Sequence, residues 1–340
     1  LRRLWHTRAE STKNRLIRRM GAGAGTRPVT AGCDSVAMKL NTLSLALHVG
    51  DPIAVSNLTV FPLLAGEESP AGYATLDEAL AAGFVRVTEV SDAGHVPELT
   101  IVNDGAVPVL VLDGEELVGA KQNRIVNLSI MVPPRSKLPL PVSCVEAGRW
   151  AHRSRTFAAA GRAHYASGRA MKLRQVSYFM HASGARHADQ GAIWNDIDAK
   201  AERMAACSPT HAAAAMYDQA REALETFQSR LQAAPGQVGA IFAINNRIVG
   251  LEAFDSAATW RKSMRKIVES YGLDALDRRG EPGSRGRRDP GRFLSSVASG
   301  EAERFKAVGM GEDLRLRGRG VEGAALAVDD EVVHVLAYAE

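Results

Sequence analysis

The sequence predicts an α+β protein built mostly from antiparallel sheet, with a central helical segment and a duplicated helix and hairpin unit towards its C-terminal side. Three observations carry this: short apolar runs broken by turn residues from Leu58 to Val132, helical periodicity from about 168 to 233, and two similar strand-turn-strand stretches at 239–254 and 323–338. At 340 residues, with 46% hydrophobic and 24% charged side chains, the chain is long enough for a sizeable core and is neither fibrous nor wholly disordered.

Residues 1–37 hold eight Arg and Lys against two acids and lack the apolar centre of a secretory signal. They read as a disordered or untranslated stretch, or as a targeting arm, with Met38 directly before the first patterned segment. Residues 38–340 then form a single α+β domain with a strand-rich part at 38–150, a helical part at 168–233 and a duplicated hairpin part at 238–340. Within the first part, Thr75-Leu-Asp-Glu78 has the spacing of a capping box and Gly83 can close the short helix it starts. Asp113-Gly114 is a preferred two-residue hairpin turn, which predicts that the strands ending at Leu112 and starting at Glu115 pair with each other. The next strand runs from Arg124 to Val132 and stops at Pro133-Pro134.

In the helical part, Ile193, Trp194, Ile197, Ala201 and Met204 share one face. Met216, Ala220, Ala223, Leu224, Phe227 and Leu231 share another, with Ser208-Pro209 as the predicted start of that second helix and Pro235-Gly236 as its stop. The stretch Gly239 to Phe254 aligns without gaps on Gly323 to Tyr338, each with a two-residue turn, Asn245-Asn246 or Asp329-Asp330. Helical stretches at about 209–233 and 293–307 precede the two copies, and a helix carrying Trp260, Met264, Ile267, Val268 and Tyr271 follows the first. Between the copies, 278–292 is a basic Gly/Pro/Arg loop.

The formal charge of +4 suggests nucleic acid only until it is located. Residues 1–37 contribute +6 and residues 278–292 contribute +4, so the rest of the chain carries −6. An acidic body disfavours a long polyanion as partner. Three scattered cysteines, Cys33, Cys144 and Cys207, form no disulfide framework or cysteine-rich zinc site and fit a reducing compartment, the cytoplasm. No apolar run is long enough to span a membrane. Neither a metal nor a cofactor follows from the motifs, and protein partners are unspecified.

Two polar clusters could carry chemistry. The first, Asp113 to Arg124, places Glu116, Lys121, Gln122, Asn123 and Arg124 beside apolar strands; it lacks the following helix that a phosphate-binding Walker loop needs. The second, Ser143 to Trp150, offers Glu146, Arg149 and Trp150. Arg124 has the parity of inward residues and therefore needs an anion, either a ligand or an internal partner such as Glu115, Glu116 or Glu146. Trp150 reads either as a stacking platform or as a core or lid side chain.

Asn57 to Leu63, Gly114 to Arg124 and Ser143 to Trp150 together resemble the motifs of the ARG and rhodanese-phosphatase-superfamily-associated protein domain, over about Leu43 to Ala339. The resemblance implies work near ADP-ribose or nucleotide metabolites without establishing catalysis. On it, Glu116 and Glu146 are the candidate acid and base of an enzyme. Lys121, Gln122, Asn123, Arg124, Arg149 and Trp150 are the candidate contacts to a small anionic metabolite. The alternatives are a non-catalytic metabolite sensor and a protein-interaction scaffold.

Overall fold

The computed structural model describes residues 47–65, 70–91, 97–150, 154–283 and 289–340. The 1–37 arm, Met38 and the middle of the basic 278–292 loop lie outside them. Among these residues, eighteen strands and seven helices, numbered in chain order, form the α+β, mostly antiparallel architecture that the sequence predicts.

The first strands are β1 (Leu47–Val49), β2 (Ile53–Val55) and β3 (Leu58–Ala65), followed by the two-residue β4 (Ala74–Thr75). Helix α1 (Leu76–Ala81) starts as expected: Glu78 N–H donates to Thr75 Oγ1, the Glu78 carboxylate accepts the Thr75 N–H, and Gly83 follows at a φ of 76°. Thr75→Ala removes one half of this exchange and should cost about 1 kcal/mol in urea unfolding, the usual worth of an N-cap; a loss below a few tenths would show that the cap is idle.

Strands β5 (Val85–Glu89), β6 (Glu98–Asn103), β8 (Glu115–Gly119), β9 (Arg124–Val126), β11 (Ser136–Cys144) and β12 (Thr156–Ala163) close into a six-stranded barrel. Val87, Leu99, Ile101, Leu117, Val126, Leu140 and Phe157 fill it. The Asp113-Gly114 hairpin does not form. Strand β7 (Val109–Val111) instead pairs with β10 (Ile130–Val132) and β4, while β8 pairs with β9 and β12. The turn itself explains this. Glu115 N–H donates to Leu112 O and Gly114 alone has positive φ (77°), the pattern of a type II turn, which does not match the twist of a hairpin as two positive-φ residues do. The predicted strand 124–132 is likewise split at 127–129, its two halves serving different sheets.

Helices α2 (Ala166–Ser183), α3 (Gln190–Arg203), α4 (Ala214–Gln219) and α5 (Arg221–Arg230) follow. Ser208-Pro209 does not cap the second predicted helix, which starts later at Ala214. Residues 208–213 are drawn into pairing with the loop after β11 instead: Gly148 N–H donates to Thr210 O and Ala213 N–H to Val145 O.

The remaining elements are β13 (Gln237–Ile244), β14 (Arg247–Phe254), α6 (Ala257–Asp277), α7 (Pro290–Ala298), β15 (Glu301–Lys306), β16 (Glu312–Gly318), β17 (Val321–Val328) and β18 (Glu331–Ala339). The predicted helical stretch 293–307 is thus helix only to Ala298, and its second half is the edge strand β15. In the nine-stranded sheet the order is β1-β3-β13-β14-β18-β17-β16-β15, with β2 on β3. Both predicted hairpins are present within it. Asn245, Asn246, Asp329 and Asp330 all have positive φ, and each hairpin shifts register at the aligned positions, Phe242/Ala243 and Leu326/Ala327. Helix α6 covers one face, where Tyr271 stacks on Phe242 with centroids 3.8 Å apart and Trp260 is fully buried; α7 covers the other with Phe293, Leu294 and Val297.

Candidate functional site

The first polar cluster is positioned by an irregularity in β12. Leu117 pairs with Ala159 and Glu115 with Ala163, so residues 160–162 bulge opposite the single residue Glu116. Gly161 turns the bulge at a φ of 70°, and Arg162 folds back on Glu116, its Nε 2.6 Å and Nη2 3.2 Å from the carboxylate oxygens. The Arg162 guanidinium also lies 5.2 Å from the Tyr217 ring centroid. Next door, Glu115 accepts from the Leu112 N–H and from Lys266 Nζ, which also holds Asp77.

The second cluster is anchored by the pairing of Glu146 with Ala212. Glu146 accepts from Arg149 Nε (2.8 Å), Thr210 Oγ1 (2.9 Å) and the Asn123 N–H (3.3 Å). Burial opposes its charge, but these donors outweigh it and hold the carboxyl below the ordinary range. Arg149 reaches on to the Ala120 carbonyl and to Asn123 Oδ1 (3.0 Å), and Asn123 Nδ2 donates to Glu116 (3.4 Å). Glu116, Asn123, Arg149 and Glu146 therefore form one continuous hydrogen-bonded chain. The two carboxylates are joined through protein donors and do not oppose each other across open space.

Lys121, Arg124 and Trp150 make a separate group. Lys121 Nζ and the Arg124 guanidinium lie 5.3 and 5.6 Å from the Trp150 ring, which is 49% exposed. Arg124, fully buried, has Glu89 at 3.8 Å and donates to Cys144 Sγ, whose thiol burial pushes up to about 11. Gln122 is buried, and its Oε1 has no hydrogen-bond partner among the described residues.

A larger charge network was not foreseen from the sequence. Helix α2 carries Arg169 and Lys172 into the interior, where both are fully buried. Arg169 Nη1 and Nη2 hold Glu252 at 2.9 and 2.8 Å, and its Nε reaches Asp113. Lys172 Nζ donates to Asp113 and to the Val126 and Asn127 carbonyls, so all three of its protons are used; burial, against the pull of Asp113, lowers its ammonium to about 8. Gly114 lacks a side chain because Arg169 passes over it: a Cβ there would meet Arg169 Nε at 2.6 Å. Ser129 and Glu252 flank His334 at 2.8 and 3.2 Å, a serine, histidine and carboxylate in a row. Arg169 already claims that carboxylate, and the cavity bordering Ser129 is about 10 Å³, the room of one water, so the row serves packing and not substrate chemistry.

Open space lies on the other side of Glu115 and Glu116. A cleft of about 500 Å³ is framed by the β12 bulge, α1, α4, α5 and α6 and lined by Arg162, Arg221, Lys262, Arg265, Lys266, Asp77, Asp218, Glu225 and Glu269, with Tyr217 among them. Two of its cations sit in exposed ion pairs, Arg221 with Asp218 and Lys262 with Glu78, and the exposed Arg265 reaches the more buried Glu269. Glu269 is half-buried in the wall, and burial raises its carboxyl above the ordinary value against the opposing pull of Arg265. Among the described residues no group of three or more His, Cys, Asp and Glu side chains is placed to hold a metal ion, and no helix is long and apolar enough to cross a membrane.

Fold and site together define an α+β protein in which a small closed barrel and a long antiparallel sheet meet at a buried charge network beside a polar cleft. The sequence profile of one family matches residues 46–338, most of the chain. The chain belongs to the ARG and Rhodanese-Phosphatase-superfamily-associated Protein domain family. No curated protein and no solved structure matches it.

Proposed function

We propose that the chain binds a small phosphorylated metabolite in the cleft between the β12 bulge and helices α4 to α6, and that Glu116 and Glu146 organise the site instead of exchanging protons with the ligand. The convergence of Arg162, Arg221, Lys262, Arg265 and Lys266 on one cleft of about 500 Å³ carries this reading, since that volume suits a small ligand. Exposed ion pairs are worth only ~0–1 kcal/mol each, so a phosphate can recruit Arg221 and Lys262 from their present carboxylates at little cost. The family's association with ADP-ribosylglycohydrolases makes ADP-ribose the first ligand to try.

Isothermal titration should show ADP-ribose and ribose 5-phosphate binding and adenosine failing to bind. The double variant Arg221→Ala, Lys262→Ala should bind both at least about tenfold more weakly, by loss of two phosphate contacts. Absence of binding by either phosphate ligand would sink the reading and favour the scaffold. A second reading, hydrolysis, is supported by Glu269, a carboxyl in the cleft wall that burial raises above its ordinary value. It requires that Glu269→Gln keep binding and lose turnover.

A further inference from the structure

A smaller cleft of about 240 Å³ lies at the C-terminal end of α6, bordered by α2, the last turn of α6, the start of β14 and the end of β18. Three arginines line it: Arg174 from α2, Arg247 from the first position of β14 and Arg278 from the C-cap of α6. Ala166, Ala170, Ile248 and Val249 supply apolar surface beside them.

The fold holds these three arginines together, because the elements that carry them are tied to one another. Ser167, at the start of α2, gives its N–H and its hydroxyl to Asp274 of α6 at 2.6 and 2.8 Å. Asn245, in the turn that leads into β14, donates from Nδ2 to the Arg278 carbonyl at 2.8 Å. Arg174 follows Ala166 and Ala170 at helical spacing, so one ridge of α2 borders the cleft.

No carboxylate among the described residues answers their charge. In the larger polar cleft Arg221 stands beside Asp218 and Lys262 beside Glu78, whereas Arg174, Arg247 and Arg278 make no ion pair and no side-chain hydrogen bond among those residues. The two acids of the lining are Asp274 and Glu340. Asp274 is buried and already accepts from Lys200 Nζ (2.8 Å) as well as from Ser167, and Glu340 pairs with none of the three. Like charges gathered on a concave surface repel one another and raise the local concentration of anions.

We propose that this cleft binds free inorganic diphosphate, held by Arg174, Arg247 and Arg278. Each guanidinium forks over two oxygens, so three of them ask for more acceptors than a single phosphate offers, and the terminal oxygens of a diphosphate meet that number. The arginines come from a helix, a strand and a helix end, in different directions. Tetrahedral phosphate presents oxygens to all of these, whereas a planar carboxylate accepts best in its own plane. The volume falls below the ~300–1,000 Å³ of pockets that house a drug-sized ligand, which favours the free ion over one carried on a nucleoside. None of the residues lining the larger polar cleft is used.

The test is calorimetric titration of the full chain carrying Arg221→Ala and Lys262→Ala, which weakens the other cleft, with sodium diphosphate, citrate and ADP. Diphosphate should bind; citrate, with carboxylates in place of phosphates, and ADP, whose nucleoside the cleft does not house, should each bind at least about fivefold more weakly. In the same background Arg174→Gln and Arg247→Gln, both at exposed positions that leave the fold intact by circular dichroism, should each weaken diphosphate at least about fivefold. Arg230→Gln, which removes an equally exposed charge away from the cleft, should leave it unchanged. Because the background already lacks Arg221 and Lys262, failure here is distinct from failure of ADP-ribose to bind the unaltered chain. No heat with diphosphate, citrate or ADP bound as tightly as diphosphate, full affinity in both cleft variants, or an equal loss in Arg230→Gln overturns the proposal.

Discussion

Glu252→Gln is expected to destabilise the protein by about 3–5 kcal/mol at pH 7, the usual cost of removing one partner from a buried ion pair. Glu252 is fully buried and accepts two hydrogen bonds from Arg169, itself fully buried, so the variant leaves that guanidinium with Asp113 as its remaining carboxylate. The pH dependence is the sharper signature. Burial works against the Glu252 charge, but Arg169 and the His334 hydrogen bond prevail and bring the carboxyl from its ordinary 4.5 down to about 2. A carboxyl lowered in the folded state stabilises fully above its unfolded value, and that contribution disappears as pH falls through the folded value. Wild type should therefore lose about 2 kcal/mol from this group by pH 3 and about 3 kcal/mol by pH 2, whereas glutamine does not titrate. Urea unfolding of both proteins at pH 7, 4 and 3 measures the gap. It should be constant from pH 7 to about 5 and narrow below; a gap that stays constant to pH 3, or one under 1 kcal/mol at pH 7, would contradict the role given to this pair.

What the sequence made legible and what it hid divide along a physical line. The Thr75 capping box, the Asn245-Asn246 and Asp329-Asp330 turns and the stop at Pro133 depend on a few consecutive residues, and all stand in the structure. The Asp113-Gly114 turn carries an equally local signal, yet its flanking strands find better partners elsewhere, since strand pairing is decided by packing over the whole sheet. Ser208-Pro209 is lost as a cap for the same reason, with Ser208 Oγ accepting the Thr210 and Ala212 N–H groups in a loop held to the barrel. Among the candidate site residues, Glu116, Asn123, Glu146 and Arg149 do converge, whereas Lys121, Arg124 and Trp150 form their own group. Arg169 and Lys172 escaped notice because charged side chains on a helix ordinarily mark its solvent face. Their one sequence signal is position: they alternate with Ala166, Leu173 and Val176, which are buried on the same helix. Partners such as Asp113 and Glu252, 56 and 83 residues from Arg169, are visible only once the chain is folded.

Glu116→Gln should separate the two roles open to that residue, because they predict opposite changes. As an acid or base, Glu116 would be needed for turnover and of little consequence for affinity. In the structure it is the counter-ion of Arg162, gripping Nε and Nη2 with both oxygens while Asn123 secures one of them from behind. Glutamine has the same shape without the charge, and its amide turns donors towards a guanidinium that has only donors to offer. Stability should fall by roughly 2–3 kcal/mol, towards the lower end for a buried pair because the Arg162 side chain keeps 17% exposure to the cleft. Held over the Tyr217 ring, the released guanidinium remains at the cleft wall. A charge-assisted hydrogen bond is worth about 1.5–3 kcal/mol, so ADP-ribose or ribose 5-phosphate should bind on the order of tenfold more tightly to the variant. Arg162→Ala should show the converse, weaker binding with a comparable loss of stability. Calorimetric titration of the two variants beside wild type decides the matter: unchanged affinity with lost turnover in Glu116→Gln returns the residue to catalysis, and unchanged affinity in Arg162→Ala removes Arg162 from the ligand site.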